Sequence, residues 1–441
     1  MAEPSSRSMP ATGLSSTGAG SSMAAGSSGL SGELPGGNAP QIPWIVSVDD
    51  HVVEPADVWS RRLPAKYADV GPRVVRAPMG EITFVGGKLT VKPGSEGKPT
   101  DWWHYEDLRR PLLRLDAAAG VPRSEVTMTG VTYEEIRPGA YQVKSRIEDM
   151  DLNWMQASLC FPTFPRFCGQ TFLEAKDRDL ALLCVRAYND WMVEEWCAES
   201  SGRLVPLCLV PLWDAGLAAA EVERNAERGV RAVCFSEIPP FLGLPSVHDP
   251  DGYWDPFFAA CAGTGTVVCM HIGSSSKMPS TSADAPPAVG STLTHTNATF
   301  SLVDYLFSGV LVRFPELCLA YSEGQVGWIP YILERADTVW LENRAWGGVA
   351  DKVPEPPSSY FHRQVYGCFF DDAHGLRSVE EIGVDNITYE SDYPHSDSTW
   401  PRTKEVAERQ MAHLDDEARR KIVRGNAIRL FGLDYLGDSP G

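Results

Sequence analysis

Trp44-Ile45-Val46-Ser47-Val48-Asp49-Asp50-His51-Val52-Val53-Glu54-Pro55 decides the fold. A short apolar run of β-forming residues ends in carboxylates and an imidazole, and the proline that follows suits the first turn of a helix. The same order recurs down the chain. After the first strand at 44–48, apolar runs at 157–161, 204–210, 232–235, 267–270, 317–321, 366–370 and 387–389 supply seven further strand candidates. Segments with helical periodicity separate most of them, at 177–200, 215–228, 298–314, 327–340, 403–414 and 415–430. Eight such strands predict a closed (β/α)8 barrel rather than an open doubly wound sheet, and no GxGxxG follows the first strand to favour the open form.

One segment breaks the repeat. Residues 56–155, roughly 100 in number, are too many for a simple strand-to-helix connection. They include the alternating stretch Glu81-Ile82-Thr83-Phe84-Val85-Gly86-Gly87-Lys88-Leu89-Thr90-Val91 and the cluster Asp101-Trp102-Trp103-His104-Tyr105. Loops that follow barrel strands cover the reactive end, so this insertion is expected as a lid or pocket in which Trp102 and Trp103 touch substrate. The alternative is a hairpin on the side of the barrel with the tryptophans as its small core. Before the barrel, residues 1–40 are dominated by Ser, Gly and Ala and lack apolar side chains to offset ordering entropy; they are expected to form a disordered tail ahead of a domain spanning 41–441.

Composition narrows the partners. The 39 basic and 58 acidic residues give a net charge of −19, which repels phosphate backbones and argues against nucleic acid. No stretch approaches the roughly 20 apolar residues of a membrane span, and no basic amphipathic segment suggests a surface anchor. The ten cysteines are scattered without a CxxC, several inside apolar runs, which reads as buried reduced thiols in a cytoplasmic protein. A homodimer is the default assembly.

Chemistry gathers at the strand ends. The first strand runs into Asp49 and His51, the fourth into Glu237, the fifth into His271, the sixth into Glu323, and the eighth into Asp392 and His395. Residues two apart on a strand share a face, so Asp49 and His51 point the same way, and the ends of different barrel strands meet above the barrel axis. Singly, each residue has an ordinary structural explanation, such as a helix cap or a turn; together on five strand ends they predict a metal centre. Imidazoles mixed with carboxylates suit Zn, Fe or Mn. A thiolate site would need the cysteines, none of which stands at a strand end in this set. Seven candidate ligands exceed the needs of one open catalytic ion, so one or two ions are expected, with Glu237 or Glu323 as the bridging carboxylate of a pair.

These segments resemble the amidohydrolase superfamily, specifically its amidohydrolase-2 type of metal-dependent TIM barrels. The resemblance runs from about Val46 to Leu433. It is carried by the motif at 48–55, Met270-His271-Ile272-Gly273, Tyr321-Ser322-Glu323-Gly324 with Gly327-Trp328-Ile329-Pro330, Ser391-Asp392-Tyr393-Pro394-His395, and Gly425-Asn426-Ala427-Ile428-Arg429-Leu430-Phe431. It implies ligands at Asp49, His51, His271 and Asp392. Two departures stand out: the family's sixth-strand histidine falls at Glu323, and the carboxylated lysine of two-metal members has no counterpart, leaving Glu237 in its place.

What the resemblance implies first is hydrolysis of a small, largely apolar carboxylate, amide or thioester, with Asp392 as the catalytic proton acceptor. The carboxylate-rich ligand set is also similar to that of a diiron monooxygenase of natural-product biosynthesis, which would need a ferredoxin-type reductant. Non-oxidative decarboxylation, with Asp392 as proton donor, is the third reading. The aromatic stretch 161–167 and Trp400, just beyond the last ligands, are expected against the apolar body of the substrate.

Overall fold

The computed structural model describes residues 42–86 and 88–437. The tail expected at 1–40 lies outside the described residues. The described residues form one compact unit.

In chain order the strands are β1 (Ile45–Val52), then β2 (Arg73–Val85), β3 (Lys88–Pro93), β4 (Pro99–Tyr105) and β5 (Leu108–Pro111) of the insertion. They continue with β6 (Met155–Pro162), β7 (Leu204–Val205), β8 (Leu207–Cys208), β9 (Ala232–Cys234), β10 (Val267–His271), β11 (Leu319–Ser322), β12 (Val365–Phe369) and β13 (Ile387–Tyr389). One parallel sheet has the order β7-β6-β1-β13-β12-β11-β10-β9-β8. Its two ends, β7 and β8, are separated in sequence only by Pro206. Proline has no amide hydrogen for the ladder, so this is one strand interrupted at a single residue, and the sheet closes on itself. The result is an eight-stranded TIM barrel, as the sequence predicts. Strands such as β6 and β10 are buried along their whole length, as a parallel sheet covered by helices requires.

Two of the barrel's helices start where a short acidic side chain caps them. The Asp177 carboxylate accepts from the Leu180 amide at 3.0 Å and opens Arg178–Trp191; the Asp214 carboxylate accepts from the Leu217 amide at 2.8 Å and opens Ala215–Ala226. All ten cysteines are free thiols, and nine are fully buried. Among the described residues no helix is long and apolar enough to cross a membrane.

The insertion is shorter than the expected 56–155, because the helix Val143–Leu152 leads directly into β6 and belongs to the barrel's own alternation. Strands β2 to β5 make a separate antiparallel sheet of order β3-β2-β4-β5. Successive residues of β4 point to opposite faces. Trp102 packs with Met79 and Leu113 and donates its indole N–H to the Ala77 carbonyl at 3.1 Å. Trp103, on the other face, stacks on Phe164 with ring centroids 4.7 Å apart and meets Trp59 edge-on at 5.2 Å. Both indoles are committed to packing, which corrects the expectation that they touch substrate: they are the sheet's core and its weld to the barrel. Beyond β5 the insertion crosses the rim. The Ala118 and Ala119 amides donate to the Pro394 carbonyl at 2.7 and 3.0 Å, and the Ser396 amide donates to that of Leu115 at 3.2 Å.

Candidate metal centre

β1 supplies Asp49 and His51 on one face and turns Asp50, between them, to the other. Asp50 Oδ1 accepts from Ser47 Oγ, Ser391 Oγ and the Tyr393 amide at 3.1, 2.7 and 3.1 Å, while Oδ2 accepts from Ser158 Oγ. This buried carboxylate ties β1 to β6 and to the loop after β13. Two backbone hydrogen bonds finish the seam, from the Asp392 amide to the Asp49 carbonyl at 3.0 Å and from the His51 amide to the Tyr393 carbonyl at 2.6 Å. Asp392 and Glu323 both sit at positive φ, 57° and 58°, a region disfavoured for side chains with a Cβ and found at functional sites.

The side chains converge. His51 Nε2 lies 3.5 Å from Asp49 Oδ1, 3.3 Å from Asp392 Oδ1 and 3.2 Å from His271 Nε2. His271 Nε2 lies 3.5 Å from Asp49 Oδ2 and 3.4 Å from Glu323 Oε2. His395 stacks on His51 with centroids 3.5 Å apart and sets its Nδ1 3.1 Å from Asp392 Oδ1. Six of the seven expected ligands therefore meet. Asp49, His51 and Asp392 are fully buried, whereas Glu323 and His395 each leave 16% of the side chain exposed and mark the accessible side.

Glu237 is the correction. Its Oε1 accepts from the Gly273 and Ser275 amides, Ser275 Oγ and Asn297 Nδ2 at 3.0, 3.4, 2.8 and 3.1 Å, so it braces the turn after His271 rather than joining the ligands or bridging them. That turn needs Gly273: φ is 82°, and a Cβ there would approach Phe167 to 3.0 Å. Phe167 in turn stacks on His271 with centroids 4.0 Å apart, and Phe161 stands 5.1 Å from the same ring, forming an apolar wall.

Two residues escaped the sequence reading. Glu390 follows β13 two positions before Asp392, and Cys368 lies inside β12; with Asp49 they offer ligand atoms all within 4.8 Å of one another. Glu390 carries the same strand parity as Asp392, a signal present in the sequence. Cys368 stands inside its strand, so a search of strand ends does not reach it.

The electrostatics suit a cation. Burial, followed by the carboxylates of Glu390 and Asp392, holds Asp49 well above the usual carboxylate range. Burial alone would raise Asp392 too, but His395 and then His51 hold it below that range. Burial lowers His271 to about 4 and His51 well below its usual value, keeping both imidazoles neutral. Both oxygens of Asp49, Asp392 Oδ2 and Glu390 Oε1 are buried without a hydrogen bond, and Asp392 Oδ1 has only the imidazoles of His51 and His395 beside it. Anionic oxygens left unpaired in a dry interior are costly unless a positive charge offsets them, and neutral imidazole with carboxylate is a divalent-metal donor set. The residues fit a divalent metal ion: Asp49, His51 and His271 offer one set of ligand atoms, and His51, Asp392 and His395 another that shares His51.

A cavity of about 620 Å³ opens beside His395. One wall comes from the insertion at Ala118 to Arg123, the other from Ser396, Trp400, Arg402 and Arg409. Of the three tryptophans expected near substrate, only Trp400 lines this space; its indole N–H donates to the Asp149 carbonyl at 3.1 Å.

Comparison with known proteins places these features. The amidohydrolase family profile matches residues 137–433. Among solved structures, the chain is similar to an amidohydrolase from Mycobacterium avium subsp. paratuberculosis K-10, with 21% identity and a TM-score of 0.64 over 88% of this chain and 99% of that one. It is similar to 5-carboxyvanillate decarboxylase from Sphingomonas paucimobilis, with 21% identity and a TM-score of 0.52 over 66% and 84% of the two chains. It is also similar to a dihydroxybenzoic acid decarboxylase from Polaromonas sp. JS666 holding manganese and the inhibitor 2-nitroresorcinol, with 20% identity and a TM-score of 0.52 over 69% and 91%. At these identities the likeness speaks to the fold.

Proposed function

The chain belongs to the amidohydrolase family, and from that premise we propose that it is a metal-dependent hydrolase of a small, largely apolar substrate bearing a carboxylate, amide or thioester. The observation that carries this reading is Asp392, a fully buried carboxylate held ionised by His395 and His51, with His395 standing between it and the cavity. A carboxylate in that state is a proton acceptor for water. A divalent ion held by Asp49, His51 and His271 supplies Lewis-acid polarisation of the substrate carbonyl when bound. Phe161 and Phe167 offer the apolar contact, and Trp400 with the insertion wall excludes bulk water from the substrate. His395, against Asp392 and at the edge of the cavity, is placed to pass the proton to a leaving group.

A second reading is non-oxidative decarboxylation of an aromatic acid. The arginines along the cavity favour it, since Arg123, Arg402 and Arg409 offer charge to a carboxylate, and so do the decarboxylases among the structural relatives. In that case the Asp392 and His395 pair delivers a proton to carbon instead of taking one from water.

Isotope labelling separates the two. Incubation of the metal-loaded enzyme with ester, amide, thioester and hydroxybenzoate panels in ¹⁸O-labelled heavy water is expected to place ¹⁸O in a product carboxylate. Carbon dioxide release with deuterium on the ring would replace hydrolysis by the second reading. Product oxygen drawn from O₂, with iron in the protein, would replace both by oxygenation.

A further inference from the structure

We propose a second cation position on the inner side of the centre, held by Cys368, Glu390 and Asp49, with Asp49 shared between the two positions. The three residues come from neighbouring strands of the barrel: Cys368 from β12, Glu390 from the end of β13, and Asp49 from β1. All three are fully buried, and their ligand atoms lie within 4.8 Å of one another. Cys368 Sγ lies 2.5 Å from Glu390 Oε2, which also accepts from the Glu323 amide at 3.1 Å. That accounts for one oxygen. Glu390 Oε1 and both Asp49 oxygens have no hydrogen bond in a space closed to water.

A proton shared between thiol and carboxylate, with a second between Glu390 and Asp49, still leaves an Asp49 oxygen without a partner. A divalent ion among the thiol sulfur and the carboxylates serves all three oxygens together. Asp49 is suited to the shared role because its oxygens diverge: Oδ1 faces His51 and Oδ2 faces His271, both at 3.5 Å, while its carboxylate also stands against Glu390. This puts the bridging carboxylate on the first strand, in place of Glu237 or Glu323.

A thiolate with two carboxylates selects Zn, Fe or Co over Mg or Ca, because the sulfur is soft. Binding is balanced by release of the thiol proton to solvent as the sulfur–metal bond forms, so uptake acidifies an unbuffered solution. The proposal concerns occupancy alone and is independent of which reaction the centre performs.

The test is titration of the whole chain, stripped of metal with a chelator under anaerobic conditions, with Co²⁺ as the probe. Bound cobalt is counted by equilibrium dialysis and the near-ultraviolet spectrum is recorded. Two equivalents, one of them bringing a thiolate-to-cobalt charge-transfer band, are expected for the wild type. Cys368→Ser is expected to lose the band and one equivalent while keeping the other. Glu390→Gln, close in size and leaving the thiol in place, is expected to lose the same equivalent, which separates loss of a ligand from a packing defect at position 368. One equivalent without a thiolate band in the wild type, or a band that survives Cys368→Ser, overturns the proposal.

Discussion

His51 and His271 face each other through their Nε2 atoms at 3.2 Å, at the point where β1 and β10 end. His271 has its other ring nitrogen against the Ile272 carbonyl, so Nδ1 carries the hydrogen and Nε2 presents a lone pair. Two neutral imidazoles this close share the hydrogen that His51 Nε2 donates to the His271 lone pair, or a cation that takes its place between the two nitrogens.

Removing one of them should therefore remove the metal between them. His271→Ala is expected to lower bound divalent metal by the one equivalent that the two imidazoles hold, by elemental analysis. It should also shrink the effect of a chelator on melting temperature. Binding at 100 times the dissociation constant stabilises the folded state by about 2.7 kcal/mol, so the wild type loses several degrees on chelation and the variant fewer.

Asp392→Asn keeps the size of the side chain and removes its charge. Turnover on the substrate found by the labelling experiment is expected to fall by about 10² to 10⁴-fold, the usual worth of a positioned acid or base. Circular dichroism should remain that of the wild type.

Two acids away from the ligand cluster set a pH dependence of stability. Burial raises Glu54 from 4.5 to about 7 against the opposing amides of Phe164 and Thr163, and burial likewise raises Glu237 to about 7. Between those values the folded chain binds more protons than the unfolded one, so stability is full below pH about 4.5 and declines as pH rises toward about 7. Each shift corresponds to about 3 kcal/mol. Denaturant unfolding of the metal-free protein from pH 5 to 8 is expected to show this fall, and Glu54→Gln to flatten it.

Trp103→Ala should act on the fold and not on the ligands. Losing the stack on Phe164 and the edge contact with Trp59 is expected to cost about 3 to 5 kcal/mol. Metal content per folded molecule should be unchanged; a selective loss of metal or a rise in KM without loss of stability would return Trp103 to the substrate.

Much of this was legible before any coordinates. The eight strands read directly because a parallel barrel strand is an apolar run that stops at a polar rim, and Asp49, His51, His271, Asp392 and His395 read because they stand on that rim. Glu237 stands there too, but sequence position does not say which way a loop folds back: four donors of the 273–275 turn and the helix beyond claimed it. Cys368 was passed over because a thiol inside an apolar strand reads as core, and only strand register shows it facing Glu390. The tryptophans misled for a different reason. Aromatic residues look alike whether they pack or bind, and only the two faces of β4 decide it.

The join between β1 and the segment after β13 also fixes when the centre comes into being. Ser391 reaches Asp50 across 341 residues of sequence, and Asp392 meets Asp49 across the same junction. A chain still being synthesised holds Asp49 and His51 long before their partners exist, and no arrangement of its earlier residues completes the set. Loading is thus a late event, reserved for a polypeptide whose last barrel strand has zipped onto its first, and the high contact order of that closure makes it a slow step of maturation.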